Sequence, residues 1–103
     1  MPNQQPARKV AQEDAFDELE NLLATMSRSI VDYPDNVVIQ RAPGQGFVAF
    51  EVWCRESDGG HLLGKRGSNA DAIRTVMMAA GTARRVRVSI NVLTRDGDHI
   101  GGR

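Results

Sequence analysis

Apolar residues recur along the chain with two different periods, and each period predicts one kind of element. Steps of three and four residues over 14–30 and 68–80 predict two amphipathic helices. Alternating apolar and polar residues over 47–55 and 85–92 predict half-buried strands, and 37–41 is a shorter strand candidate. About one helical turn is predicted before residue 64. The order is helix, strand, strand, short helix, helix, strand, which predicts an α+β fold with a three-stranded sheet and helices packed on one face.

The same periods predict which side chains face the core. The core-facing positions are Phe16, Leu19, Leu23, Met26 and Ile30; Val48, Phe50, Val52 and Cys54; Ile73, Met77 and Ala80 with Val76 beside them; and Val86, Val88, Ile90 and Val92. Trp53 is expected on the outward face of its strand, and Met78 on the surface of its helix. Exposed apolar residues of this size either belong to a partner-binding surface, or are covered by the tails, or are isolated surface residues without a function.

Local signals predict where the elements end. Pro34 closes the first helix, because the residue before a proline avoids helical backbone angles. Ser57 or Asp58 is expected to cap the short helix, Ser68 has capping-box spacing, and Gly81 is a typical helix end. Residues 1–13 are expected to form a disordered tail, 14–93 a single domain, and 94–103 a flexible tail.

Length and composition restrict the possible functions. With 103 residues the chain holds one small core and no two-lobed active-site cleft. Cys54 is the only cysteine, so no intrachain disulfide can form and a reduced cytoplasmic setting is expected. The histidines and the cysteine lack metal-ligand spacing, so neither a metal nor another cofactor is predicted. No apolar run approaches the roughly 18 residues of a membrane span, so no membrane partner is expected.

The net charge of zero conceals a division of the chain into an acidic and a basic part. Residues 1–64 contain five Lys and Arg against ten Asp and Glu, whereas residues 65–103 contain eight against three. The first part therefore carries a charge of −5 and the second +5. The basic part is either an ordinary solvated surface or the face that meets an anionic partner.

The basic part begins at Gly64-Lys65-Arg66-Gly67, the most informative segment of the sequence. Glycine lets the backbone approach a ligand closely, and a helix that begins directly after the loop directs free N–H groups to the same place. These features, together with two cations, predict a phosphate-binding loop. Residues 59–65 also match most of a nucleotide-binding P-loop, but Arg66 stands where that motif needs Ser or Thr. Nucleotide hydrolysis is therefore not expected, and the protein is not predicted to be an enzyme.

Three segments together resemble a known family. The loop 64–67, the run Ala72-Ile73-Arg74-Thr75, and Val31-Asp32-Tyr33-Pro34-Asp35 occur in the order found in KH domains, most closely the small bacterial single-KH proteins of the KhpA/YlqC family. The resemblance covers residues 17–92. It implies the type II KH topology, αββααβ, which agrees with the element order above. It also implies binding of about four single-stranded nucleotides.

The resemblance further implies which residues contact single-stranded RNA. Gly64 and Gly67 set the loop geometry, and Lys65 and Arg66 meet the phosphates. The remaining expected RNA-binding residues are Leu62, Leu63 and Ile73 under the bases, Ser68 and Asn69 after the loop, Arg74 on the helix, and Arg41 and Arg55 on the opposite wall. Leu63 and Ile73 are alternatively core residues, Ser68 a cap, Asn69 solvated, and Arg74 a salt-bridge partner of Asp71.

The resemblance leaves two functions open. The first is a bacterial RNA chaperone or post-transcriptional regulator. The second is a module that pairs with itself or with another KH protein and binds RNA weakly. The second gains weight because Ser68 and Asp71 stand where relatives have basic residues, while Trp53 and Met78 replace an arginine and a lysine.

Overall fold

The computed structural model describes residues 12–94 and the backbone of residues 99–102. The elements in chain order are α1 (Gln12–Arg28), β1 (Val38–Gly44), β2 (Phe47–Cys54), α2 (Gly59–Leu63), α3 (Ser68–Ala83), β3 (Arg87–Thr94) and β4 (His99–Gly102). Single 3-10 turns occupy Pro34–Asn36, Glu56–Asp58 and Lys65–Gly67. The predicted α+β order αββααβ is confirmed, and β4 follows it. None of the described helices has the length and apolar character needed to cross a membrane.

The sheet has the strand order β1-β2-β3-β4. Strands β1 and β2 form an antiparallel hairpin, β2 and β3 are parallel, and β3 and β4 are antiparallel. The hairpin turn is only Gln45–Gly46, with Gly46 at φ +70°, and β1 extends to Gly44, beyond the predicted strand 37–41. Pro43 lies inside β1, which is acceptable because β1 is an edge strand.

The core lies between the helices and one face of the sheet. Along β2, every predicted inward residue is buried and every outward residue is half-buried except the exposed Phe47. Leu19 and Leu23 of α1 and Met77 of α3 are completely buried against this face. Burial of each such side chain contributes roughly 1.5–3 kcal/mol. The period-two and period-3.6 predictions of the core are therefore confirmed, although Val76 is 44% exposed rather than packed beside the α3 stripe.

The tails differ in part from the prediction. Gln12 and Glu13, placed by the sequence in a disordered tail, belong to α1, and residues 1–11 lie outside the described part. Strand β4 occupies 99–102, where a flexible tail was expected. It makes the sheet four-stranded, whereas three strands were expected. It pairs with the C-terminal half of β3, with Asn91 opposite Gly102. The backbone hydrogen bonds of that edge explain why a Gly-rich polar segment can be ordered without an apolar face of its own.

The C-terminal end of α3 corrects the prediction for Gly81. The helix continues to Ala83, and Gly81 lies inside it, where an added Cβ would stand 2.5 Å from the carbonyl oxygen of Val86. The left-handed residue that ends the helix is Arg85, at φ +59°. The amides of Val86 and Arg85 donate to the carbonyls of Gly81 and Thr82, which is the Schellman pattern. Gly81 is thus needed for close packing between α3 and β3, not for the turn.

Candidate nucleic-acid interface

The loop between α2 and α3 is a tight turn built from left-handed residues. Gly64 has φ +74° and ψ 176°, Arg66 has φ +56°, and Gly67 has φ +77°. The amide of Gly64 donates to the carbonyl of Gly60 at 2.8 Å, and the amide of Gly67 donates to that of Gly64 at 3.1 Å. These bonds reverse the chain within one 3-10 turn, Lys65–Gly67, so that α3 begins immediately at Ser68.

The two glycines are required for different reasons. A Cβ on Gly64 would lie 2.6–2.8 Å from atoms of Asn69, including its backbone nitrogen, whereas a Cβ on Gly67 would meet nothing within 4 Å. Gly67 is therefore needed only for its left-handed angle. The Asn69 side chain crosses the loop and donates from Nδ2 to the carbonyl oxygen of His61 at 2.8 Å. Asn69 thus ties α3 to α2, a structural role that sequence reasoning did not propose.

The loop exposes two cations at the beginning of a helix. Lys65 and Arg66 are both exposed, and within the described part of the chain neither forms an ion pair. Gly67 is the N-cap of α3 and makes no side-chain capping bond, so the predicted capping box of Ser68 and Asp71 is not formed. The positive end of the α3 dipole and both side-chain charges therefore act on the same small region.

A groove between α3 and β3 adjoins the loop. It has a volume of about 310 Å³, and its wall from α3 begins at Asp71, one turn after Gly67. Its lining residues are Asp71, Arg74, Thr75, Met77 and Met78 from α3 and Val88, Ser89 and Ile90 from β3. Of these, only Arg74 was predicted as an RNA-binding residue. The β3 wall escaped sequence reasoning because its proximity to α3 depends on the sheet register, which single-strand periodicity does not reveal.

Arg74 forms part of the floor of this groove. Its side chain is only 16% exposed, and its Nη1 donates to Oδ1 of Asp71 at 3.3 Å. The expected salt bridge with Asp71 is therefore present, and Arg74 also lines the groove, while its contact with RNA stays a prediction. Its Nε is buried and has no hydrogen-bond partner in the described chain. An arginine held in this way presents its remaining donors in a fixed direction.

The predicted apolar residues lie below the loop rather than on its surface. Leu62 is completely buried and belongs to the core. Leu63 is half-buried, and Ile73 is half-buried and packs against the core. Leu62 therefore supports the loop from beneath, and only Leu63 and Ile73 retain surface that a ligand can contact.

The two arginines predicted for the opposite wall have other contacts. Arg41 donates to Asp17 at 2.8 Å and to Glu20 at 3.2 Å on α1, and the hydrogen bond with Asp17 raises the pKa of Arg41 above its usual range. The guanidinium of Arg55 stacks 4.1 Å from the ring centroid of Tyr33. The structure thus brings Arg41 to α1 instead of the loop, and holds Arg55 against an aromatic ring.

Asp58 anchors the short helix that precedes the loop. Its side chain is fully buried, and its two carboxylate oxygens accept hydrogen bonds of 3.0 Å from the amides of Asp32 and Tyr33. It makes no side-chain cap on α2, so the predicted capping bond is wrong. Asp32, Asp58 and His61 place ligand atoms within 4.8 Å of one another. Both carboxylate oxygens of Asp58 already accept hydrogen bonds from backbone amides. The cluster is therefore explained by the contact that fixes the start of α2.

The element order αββααβ, with a Gly-x-x-Gly turn joining the second and third helices, defines a KH domain of the type II topology. A family model described as "KhpA/KhpB, KH domain" matches residues 20–92. This chain therefore belongs to the KhpA/KhpB family of KH domains.

Individual relatives agree with this assignment. A protein named "RNA-binding protein KhpA" from Clostridium acetobutylicum is 35% identical over 75 residues, which are 73% of this chain and 100% of the relative. Proteins of the same name from Treponema pallidum and Bacillus subtilis are 31% and 32% identical over 74 residues, 72% of this chain and 92% and 91% of theirs. The family resemblance predicted from the three sequence motifs is confirmed.

Proposed function

We propose that this protein binds single-stranded RNA, holding the backbone at the loop 64–67 and bases in the α3–β3 groove. The observation that carries the proposal is the pair of exposed cations, Lys65 and Arg66, at the N-terminus of α3 without a carboxylate partner in the described chain. The relatives named as RNA-binding proteins support it. The proposed setting is the cytoplasm, and the proposed role is that of an RNA chaperone or post-transcriptional regulator.

The test is fluorescence anisotropy with short single-stranded RNA. Lys65→Asp/Arg66→Asp should weaken binding by at least tenfold, because two phosphate contacts are replaced by repulsion. Wild-type binding should also weaken with salt, with a log–log slope of about −0.7 for each phosphate neutralised. The variant should lose much of that slope.

A matched control separates the loop from general electrostatics. Arg85→Asp/Arg87→Asp makes the same change of net charge beyond the opposite end of α3, which is about 24 Å away at 1.5 Å per residue. Both residues are exposed and form no ion pair in the described chain. Equal losses in the two double variants, each shown to be folded by circular dichroism, would contradict the loop assignment.

We infer a second candidate function, pairing with another KH domain, from the exposed apolar residues of α3. Met78 is 62% exposed and Val76 is 44% exposed on the same helix, while Trp53 is half-buried with its indole N–H bonded to Glu51. The test is the mass in solution of the Met78→Lys and Trp53→Arg variants, measured by sedimentation velocity. A loss of dimer with Met78→Lys alone supports a contact through α3, whereas an unchanged mass in both variants argues against this function.

A further inference from the structure

Asp71 and Arg74 form a carboxylate–guanidinium pair in the α3–β3 groove. Asp71, with a side chain 61% exposed, and Arg74, which is largely covered, meet at 3.3 Å between Oδ1 and Nη1. Asp71 follows Gly67 by four residues, so it stands one helical turn from the loop. A strand held at the loop therefore brings a neighbouring base to these two side chains.

Asp71 does not serve the phosphate-binding loop. A carboxylate repels phosphate, and Asp71 makes no capping bond to the α3 terminus. Its side-chain contact with Arg74 is long, and because the carboxylate is exposed to solvent the pair contributes little stability. The favourable interaction of a carboxylate with the helix dipole is the remaining structural explanation. That explanation predicts an effect on stability but none on the choice of base.

The chemistry of the pair matches one base better than the others. A carboxylate has two acceptor oxygens, and guanine alone places two adjacent N–H donors, N1–H and the N2 amino group, on its Watson–Crick edge. The guanine O6 beside them accepts from a guanidinium, and within the described chain Oδ2 of Asp71 has no hydrogen-bond partner. Adenine and cytosine each present a single amino group on this edge, and uracil a single imino N–H.

The groove has room for this base and a surface to hold it. Its volume of about 310 Å³ is at the lower end of the range of small-molecule sites. Met78 and Val88 line it beside the polar pair, and a methionine sulfur makes favourable contacts with aromatic rings. Arg74 is held by its burial, so its direction is set before the base arrives.

We propose that the α3–β3 groove selects guanine, with Asp71 as the residue that determines specificity and Arg74 as its positioned partner. This inference rests on the proposed function, because the base reaches the groove only on a strand held at the loop. The two carboxylate oxygens accept from N1–H and N2–H, and Arg74 donates to O6.

The test compares labelled hexanucleotides that differ at one central position. Against an otherwise uridine sequence, guanosine at that position should improve binding about tenfold over uridine, the usual effect of one bidentate base contact. Inosine, which lacks only the N2 amino group, should bind between the two. Asp71→Asn should remove the guanosine preference, and Asp71→Lys should remove it while strengthening binding to every sequence.

Asp35→Asn is the matched control, because it removes one exposed carboxylate outside the groove. It should keep the guanosine preference. Equal binding of guanosine, inosine and uridine by the wild type overturns the guanine assignment, as does an undiminished preference in Asp71→Asn. Absence of binding to all these RNAs overturns the proposed function and this inference together, so the two failures are distinguishable.

Discussion

The two glycines of the loop provide a test in which the same chemical change has two calculable outcomes. Gly64→Ala places a residue at φ +74° and ψ 176°, a region that is essentially restricted to glycine and costs about 1–3 kcal/mol. The new Cβ would also lie 2.7 Å from the backbone nitrogen of Asn69. That atom belongs to the first turn of α3 and cannot move without displacing the helix. The overlap adds about 1–3 kcal/mol, so a total near 4 kcal/mol is expected.

Gly67→Ala is the matched control within the same loop. It has φ +77° and ψ 13°, an ordinary left-handed conformation, and an added Cβ meets no heavy atom within 4 Å. The cost should therefore be limited to about 1 kcal/mol for a non-glycine residue in this region. Gly64→Ala should lower the free energy of unfolding by about 3 kcal/mol more than Gly67→Ala does.

Urea unfolding, followed by far-UV circular dichroism and by the fluorescence of Trp53, measures both values. A difference of this size is large against the total of about 5–15 kcal/mol that is usual for small domains. A Gly64→Ala variant that is no more destabilised than Gly67→Ala would contradict the predicted overlap. Recovery of stability when Asn69→Ala is added to Gly64→Ala would contradict it as well, because the overlap with the backbone nitrogen would remain.

Three further outcomes are expected from buried groups. Asp58→Asn should lower the free energy of unfolding by about 2–4 kcal/mol in urea titrations, because an amide replaces a carboxylate that accepts two backbone N–H groups. Gly81→Ala should destabilise the protein by about 2 kcal/mol, because the new Cβ would overlap the carbonyl oxygen of Val86. Gly60→Ala is the control, since Gly60 is exposed on α2 with open space around it. It should be neutral or stabilising by up to about 1 kcal/mol. Burial, with a smaller effect of Asp58, raises the pKa of the Cys54 thiol. Folding therefore disfavours its thiolate, and the free energy of unfolding should fall as the pH rises above about 8.5, the pKa of an unfolded thiol. Measured from pH 7 to 10, Cys54→Ala should lack the part of this fall that comes from the thiol.

Local periodicity was sufficient for the parts of the fold whose burial repeats along one segment. The alternation over β2 predicted its buried face completely, because each inward residue is separated from the next by one outward residue. Strand β4 has no such alternation, and it is a strand because its backbone pairs with β3. Gly81 was recognised as significant but assigned to the wrong cause, since Arg85 adopts the left-handed angle that glycine usually provides.

In the candidate site, too, local sequence predicted some parts, whereas the parts formed by residues far apart in the chain were missed. The loop 64–67 was predictable because its glycines, cations and following helix are contiguous. Asp58 was assigned to a local cap because its actual partners, Asp32 and Tyr33, lie 26 and 25 residues earlier. The groove wall on β3 was missed for a related reason, since its residues meet α3 only after the parallel pairing of β2 with β3 is formed.

The fold shows which charges of the acidic and basic parts of the chain pair with one another. The acidic helix α1 neutralises arginines from other elements, through Asp17 with Arg41 and through Glu18 with Arg84. Lys65 and Arg66 receive no such partner in the described chain, and they project where the α3 dipole is positive. A protein without net charge can therefore present a local positive field, which is screened within about 10 Å at 0.1 M salt. The proposed binding of an anionic strand at the loop depends on this field. Because Asp71 lies one helical turn after Gly67, its negative charge reduces this positive field at the groove. The proposed contact of Asp71 with guanine is thus accompanied by a lower affinity for phosphate at the groove.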